Sequence, residues 1–197
     1  MSQELQEYII SITPISHQKA NLIASHFIPC ELEKGTVLIQ SGKTPRSSYV
    51  LQNGIARCYL YDHQGNEITT RFYSAPDFVN DFVSFFKQQP SEENYETLTD
   101  CNAWTINLEK VQYCFHHIPE FREWGRMMLS MNYANMHQQM ISFHKYEARE
   151  RYLLLMRQHP EIIKSVPLKY VASYLGITKH SLSRIRKEIS NSDDKLS

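Results

Sequence analysis

Residues 168–190 read LKYVASYLGITKHSLSRIRKEIS and gather Lys179, His180, Arg184, Arg186 and Lys187 into nine positions. Lysine and arginine side chains only donate hydrogen bonds, so a cluster of them suits phosphate oxygens and the acceptor edges of bases. Helical spacing puts Lys179, His180, Ser183, Arg184 and Lys187 on one face, with Leu182 and Ile185 on the other. Thr178 is placed to N-cap this helix. Ahead of it, Gly176 follows Ala172 by four residues: a small residue where two helices cross closely, then one that tolerates positive φ in the turn. Val171, Leu175, Ile177, Leu182 and Ile185 are the apolar residues that hold such a pair together. The expected surface for double-stranded DNA is Thr178, Lys179, His180, Ser181, Ser183, Arg184, Arg186 and Lys187. An ordinary helical hairpin with solvated basic residues is the plainer reading of the same pattern.

Charge supports the first reading. The chain has 197 residues and no net charge, but residues 1–144 hold 10 Lys+Arg against 15 Asp+Glu, and residues 145–190 hold 10 against 4. A basic module joined to an acidic one fits a chain in which one end meets phosphate. Other chemistry is poorly supplied. Cys30, Cys58, Cys101 and Cys114 are dispersed, with no C-x-x-C clip for metal or redox work. A barrel enzyme of the cupin type wants a His-x-His pair on its strands, where only His63 occurs, in a turn. No enzyme, metal site or cofactor is expected. No run of 18 apolar residues exists, and the N-terminus lacks a basic, signal-like start, so no membrane association and a cytoplasmic location are expected.

The elements that position these residues divide the chain into three. Residues 4–28 read as helical, interrupted at Pro14. From Cys30 to Ile106 short alternating runs (TVLIQ, SYVLQ, IARCYLY, EITTRFYS) are separated by turn signals at Gly42, Asn53-Gly54 and Gln64-Gly65-Asn66. Ile68, Thr70, Phe72 and Ser74 alternate with Thr69, Arg71 and Tyr73, as in a strand with one buried face. Such strands predict an antiparallel barrel or jelly roll. After Pro119 about 25 residues read as one helix. Leu129, Tyr133, Met136, Met140 and Phe143 make a heptad-like seam for a partner helix, while Trp124, Met128 and Met131 form a second face to cover the barrel. A further helix from about Lys145 to His159 precedes the basic pair. The expected domains are 1–118, 119–144 and 145–197.

The glycine-punctuated barrel (Gly35, Gly42, Gly54, Gly65), the long helix and ASYLGITKHSLSRIRK together resemble the Crp–Fnr superfamily of bacterial transcription regulators over essentially the whole chain. ERYLLLMRQHPEI…VPLKYVASYLGIT…LSRIRK is especially similar to the Crp/Fnr-like regulators of Bacteroidetes. The resemblance implies an α+β fold: an N-terminal cyclic-nucleotide-binding-like β-roll (a double-stranded jelly roll), a central dimerisation helix and a C-terminal winged-helix-like helix-turn-helix domain. It implies a homodimeric, sequence-specific DNA-binding regulator with DNA, a second copy, RNA polymerase and a small-molecule effector as partners. The alternative is a ligand-sensing or protein-binding module of the same fold that has lost DNA binding. The implied ligand pocket is walled by Arg71, Tyr73, Asn80, Asp81, Tyr95 and Met136.

Departures from the family accompany the resemblance. Where cyclic-AMP-binding members carry Gly-Glu and, about ten positions on, an Arg, this chain has Asn80-Asp81 and then Ser91-Glu92-Glu93. A phosphate monoanion would meet carboxylates instead of an arginine, so cyclic AMP is not the expected ligand. The pocket is expected to be filled by its own aromatic side chains or to hold an uncharged or cationic molecule. Haem would need an axial ligand from Cys58, His116, His117 or His137, but nine scattered histidines read as surface or hydrogen-bonded groups. Only SNSDDKLS follows the last helix, so a wing is expected before Leu168, in HPEIIKSVPL, with the tail frayed.

Overall fold

The structure, a computed structural model, describes residues 3–193. Two N-terminal helices, α1 (Gln3–Ile12) and α2 (His17–Ala24), flank Pro14, and the Ser16 side chain accepts from Lys19 N to cap the second. Eight strands follow: β1 (Ile28–Leu32), β2 (Val37–Ile39), β3 (Ser47–Leu51), β4 (Ile55–Tyr61), β5 (Glu67–Ser74), β6 (Asp77–Val79), β7 (Asn94–Thr97) and β8 (Cys101–Asn107). They form two antiparallel four-stranded sheets, in the orders β1-β8-β3-β6 and β2-β7-β4-β5, packed as a jelly roll. The Asn53-Gly54 turn carries the chain from the first sheet to the second. Gly54 has φ +85°, and a Cβ there would lie 2.6 Å from Asp100 O, so only glycine fits. Between β4 and β5, Asp62 accepts from the backbone N–H of Gln64 (2.8 Å) and Asn66 (2.9 Å), which closes the hairpin.

Alternation divides the core. Leu51, Ala103 and Val79 face into the roll beside Ile39, Cys58, Tyr73 and Tyr95. Val50, Trp104, Ile106 and Phe78 face out and pack under α1, α2, α4 (Leu108–His117) and α5 (Pro119–Lys145). Helix α4 continues directly from β8, capped by Asn107 Oδ1 accepting from Lys110 N at 2.9 Å; the strand pattern up to Ile106 gave no sign of it. A short helix α3 (Phe82–Lys87) leaves β6, capped by Asp81.

Helix α5 runs 27 residues with Pro119 in its first turn, where a missing N–H costs nothing. Phe121, Trp124 and Met128 are buried against the roll's outer core, whereas Met131, expected on that face, is 46% exposed. Met131 stands at the mouth of a cleft beside Tyr8, Arg71 and Asp77 and is left open to solvent there. Leu129, Tyr133, Met136, Met140 and Phe143 are all exposed.

Helices α6 (Ala148–Gln158), α7 (Pro160–Ser165), α8 (Leu168–Tyr174) and α9 (Lys179–Asp193) complete the chain. The segment before Leu168 is helix α7, not a wing, because Pro160 supplies a helical first turn and Ile162 is buried in the C-terminal core. The last helix includes residues 190–193, expected to fray; residues 194–197 lie outside the described residues.

Candidate functional site

The α8–α9 pair is built from the apolar residues its spacing named. Val171, Ala172, Leu175, Leu182 and Ile185 are buried between the helices, with Ile177 and Ile189 packed at the edges. Gly176, at φ +68°, ends α8: its N–H donates to Ser173 O (3.0 Å) and the N–H of Ile177 to Ala172 O (3.0 Å). This paired arrangement satisfies two of the helix's last carbonyls and requires the left-handed residue that glycine supplies. Thr178 Oγ1 then accepts from Ser181 N at 3.1 Å and starts α9.

The inner face being used up, the outer one is free. Lys179, His180, Ser183, Arg184, Arg186 and Lys187 are exposed, and His180, Ser183, Arg184 and Lys187, stepping by three, one and three, form one stripe. Arg184 Nε lies 3.8 Å from Glu188 Oε1 on the same exposed surface, a pair weak enough to open to a stronger anion. Thr178 and Ser181 bond each other, 3.0 Å between hydroxyls, and serve the cap.

The pocket residues do not form one cluster. Tyr73 and Tyr95, each 3% exposed, pack inside the roll with ring centroids 6.0 Å apart. Burial raises both phenol pKa values, so both stay neutral. The half-buried Glu93 accepts from Tyr95 OH (3.0 Å) and Thr70 Oγ1 (3.1 Å), which places a carboxylate at the edge of this interior. Ser91, where the family resemblance would look for arginine, is buried and spent on the loop: its hydroxyl donates to Glu93 O at 2.9 Å. Arg71 lies over the Tyr73 ring at 4.4 Å, donates to Asn132 of α5 and sits 3.7 Å from Asp77. Gln139 donates to Thr70 O at 2.9 Å, so β5 and α5 are tied twice. Asp81 spends its carboxylate on capping α3, accepting from Ser84 N at 3.0 Å. Asn80 lies on the outer face beside Phe78, and Met136 is 59% exposed on α5.

The contact between roll and C-terminal helices escaped the sequence reading. Strand β5 is an edge of its sheet and α8 lies along it. Ser173 Oγ accepts from Thr69 N (2.9 Å) and donates to Glu67 O (3.1 Å), standing in for a neighbouring strand. Phe72 packs on Tyr174 at 5.1 Å, and Ser74 donates to Glu161 of α7 at 2.6 Å. Beneath them Arg57, 1% exposed, bonds Glu96 (2.7 Å) and Glu67 (2.6 Å) and is sandwiched between the rings of Tyr59 (4.0 Å) and Tyr170 (3.6 Å). Burial opposes the guanidinium charge, but its carboxylate partners outweigh it and raise its pKa. The one sequence signal was an arginine inside the apolar run IARCYLY. The burial pattern of β5 departs from simple alternation for the same reason: Thr69, Phe72 and Tyr73 are all buried, because α8 covers the outer side and the β4–β5 register shifts at Cys58/Tyr59.

Among the described residues no three His, Cys, Asp or Glu side chains group as a metal site, and no helix is long and apolar enough to cross a membrane.

Residues 29–117 match the family model of the cyclic nucleotide-binding domain. No curated protein matches the chain. Among solved structures, the c-di-GMP responsive global regulator CLP of Xanthomonas campestris is similar over 90% of this chain and 93% of its own, with TM-score 0.70 and 15% identity. FixK2 from Bradyrhizobium japonicum is similar over 85% of this chain and 86% of its own, at TM-score 0.69 and 14% identity. A Eubacterium rectale protein ascribed to the crp/fnr family of transcriptional regulators is similar over 91% and 85%, at TM-score 0.67 and 15% identity. At these identities the likeness is one of fold.

Proposed function

We propose that this chain is a homodimeric, sequence-specific DNA-binding transcription regulator of the Crp/Fnr type whose roll does not answer to cyclic AMP. The observation that carries the reading is the exposed stripe His180, Ser183, Arg184 and Lys187 on α9, a helix whose opposite face is buried on α8. A helix held in this way presents donors to a major groove, and the backbone N–H groups at its N-terminus favour a phosphate. Fold similarity to regulators over nearly the whole chain supports it. The exposed seam on α5 supplies a two-fold contact, which a protein reading two half-sites needs.

Tyr73 and Tyr95 pair inside the roll, the half-buried Glu93 carboxylate accepts from Tyr95, and no arginine stands at Ser91 to neutralise a cyclic phosphate. The anion would be received by a carboxylate, which disfavours binding. Selection of bound duplexes from a random pool tests the main claim: two-fold symmetric sites are expected, and an unenriched pool would leave a module without DNA binding. Calorimetry with cyclic AMP and cyclic GMP tests the second: no heat is expected, and a dissociation constant near ~1 μM, about −8 kcal/mol, would overturn it.

A further inference from the structure

Seven buried side-chain nitrogen or oxygen atoms have no hydrogen-bond partner among the described residues, and three of them belong to side chains that line one cavity: Ser48 Oγ, Asn80 Oδ1 and Trp124 Nε1. These residues are 1%, 4% and 2% exposed, and they come from three separate places in the fold: β3, the residue just after β6, and α5. Native folds rarely leave a buried polar group without a partner, so three beside one cavity are unlike ordinary packing. The cavity, about 30 Å³, lies on the outer side of the first sheet under α3, α4 and α5. It is separate from the roll interior, where Tyr73 and Tyr95 pack: Phe78 and Asn80 point to one side of β6 and Val79 to the other.

The rest of the lining is aromatic. Phe82 stacks on Phe86 at 6.5 Å, and Phe86 meets Phe115 edge-on at 6.1 Å. Gly125 of α5 makes room for that wall, since a Cβ there would lie 2.9 Å from the Phe115 ring. On the solvent side stand Phe86 and Leu129, 45% and 44% exposed, so the wall facing water is one side chain deep. Leu129 also begins the exposed seam of α5, and an occupant would touch it.

We infer that this cavity is a binding site for a small, uncharged, single-ring aromatic molecule carrying a hydroxyl or similar donor–acceptor group. The ring fills the phenylalanine-lined space as Phe86 moves out. Its hydroxyl donates to Asn80 Oδ1 and accepts from Trp124 Nε1, with Ser48 able to do either. No cation or carboxylate side chain lines the cavity, so a charged ligand would find no partner there.

The probes are p-cresol and toluene, which differ only by the hydroxyl. The signal of the Trp124 indole N–H is followed by NMR in the full-length protein. Expected are a saturable shift with p-cresol, half-complete at about 1 mM or below, and at least tenfold weaker binding of toluene. Asn80→Leu should bring p-cresol down to the toluene level while the melting temperature holds. If that variant does not fold, Ser48→Ala removes a single oxygen and should weaken p-cresol alone. No saturable shift, equal affinity for the two probes, or p-cresol binding unchanged in the folded variant would overturn the site and leave ordered water as the partner of the three atoms.

Discussion

Arg184 and Lys187 share the exposed stripe of α9 but have different tasks in the proposed complex. Arg184 can hold a guanine bidentately, so Arg184→Ala should cost about 1–3 kcal/mol and relax preference at one base of each half-site. Lys187→Ala should weaken all sequences alike and reduce the salt slope by about one, since a phosphate contact carries no base information. Binding isotherms on selected and scrambled duplexes at several salt concentrations separate the two. Arg57 acts on stability. Its removal leaves Glu67 and Glu96 facing each other, and because both carboxylates reach some water the loss falls below that of a fully buried pair. Arg57→Ala should cost about 2–3 kcal/mol by urea titration. Burial raises the pKa of all four thiols, Cys114 to about 11, but Cys58, Cys101 and Cys114 are shielded from solvent whereas Cys30 is half-buried. A thiol reagent at pH 8 should label Cys30 first and the other three only on unfolding.

Two helices carry the long-range organisation. The seam of α5, from Leu129 through Tyr133, Met136 and Met140, leaves large apolar side chains 44–71% exposed. Met136→Glu would place two carboxylates in a two-fold contact while burying nothing in the monomer. Sedimentation should show monomers with the secondary structure of the parent by circular dichroism, and DNA affinity should fall with them. Phe143 is partly committed elsewhere, since it leans towards Gly176 and lies under the Arg151 guanidinium at 5.0 Å. The second helix is α8, whose Ser173 continues the hydrogen bonding of β5. Ser173→Ala strands the N–H of Thr69, at a cost of about 1–3 kcal/mol. Hydrogen exchange should quicken at Thr69 and its neighbours in β5 before it quickens elsewhere in the roll.

At the scale of the molecule, the roll and the C-terminal helices share one apolar cluster: Ile55, Phe72 and Leu98 of the roll pack with Tyr152, Leu155 and Ile162. The α8–α9 pair is therefore held by the roll as well as by α5, and any change in the roll near β5 reaches it directly. Heat should unfold the protein in a single transition, and calorimetric and van't Hoff enthalpies should agree; two separated transitions would show this interface to be weak.

The one-dimensional pattern was enough for the antiparallel roll, the long helix, the exposed stripe of α9 and its cap, because each follows from local periodicity or from one residue's conformational needs. Leu182, Ile185, Gly176 and Thr178 stand where their spacing put them. Contacts between distant segments leave no such periodic trace. Nothing near Ser173 announces that it completes the edge of β5, and Arg57 in IARCYLY looks like a break in an apolar run until Glu67, Glu96 and Tyr170 surround it. Asn80 and Asp81 were expected together at the ligand pocket; Asp81 instead caps α3 and Asn80 lines the outer cavity, because a short helix starts right after β6. Spacing settles which residues share a face. What that face meets depends on which other elements reach it, and that is decided only when the sheets close and the helices settle on them.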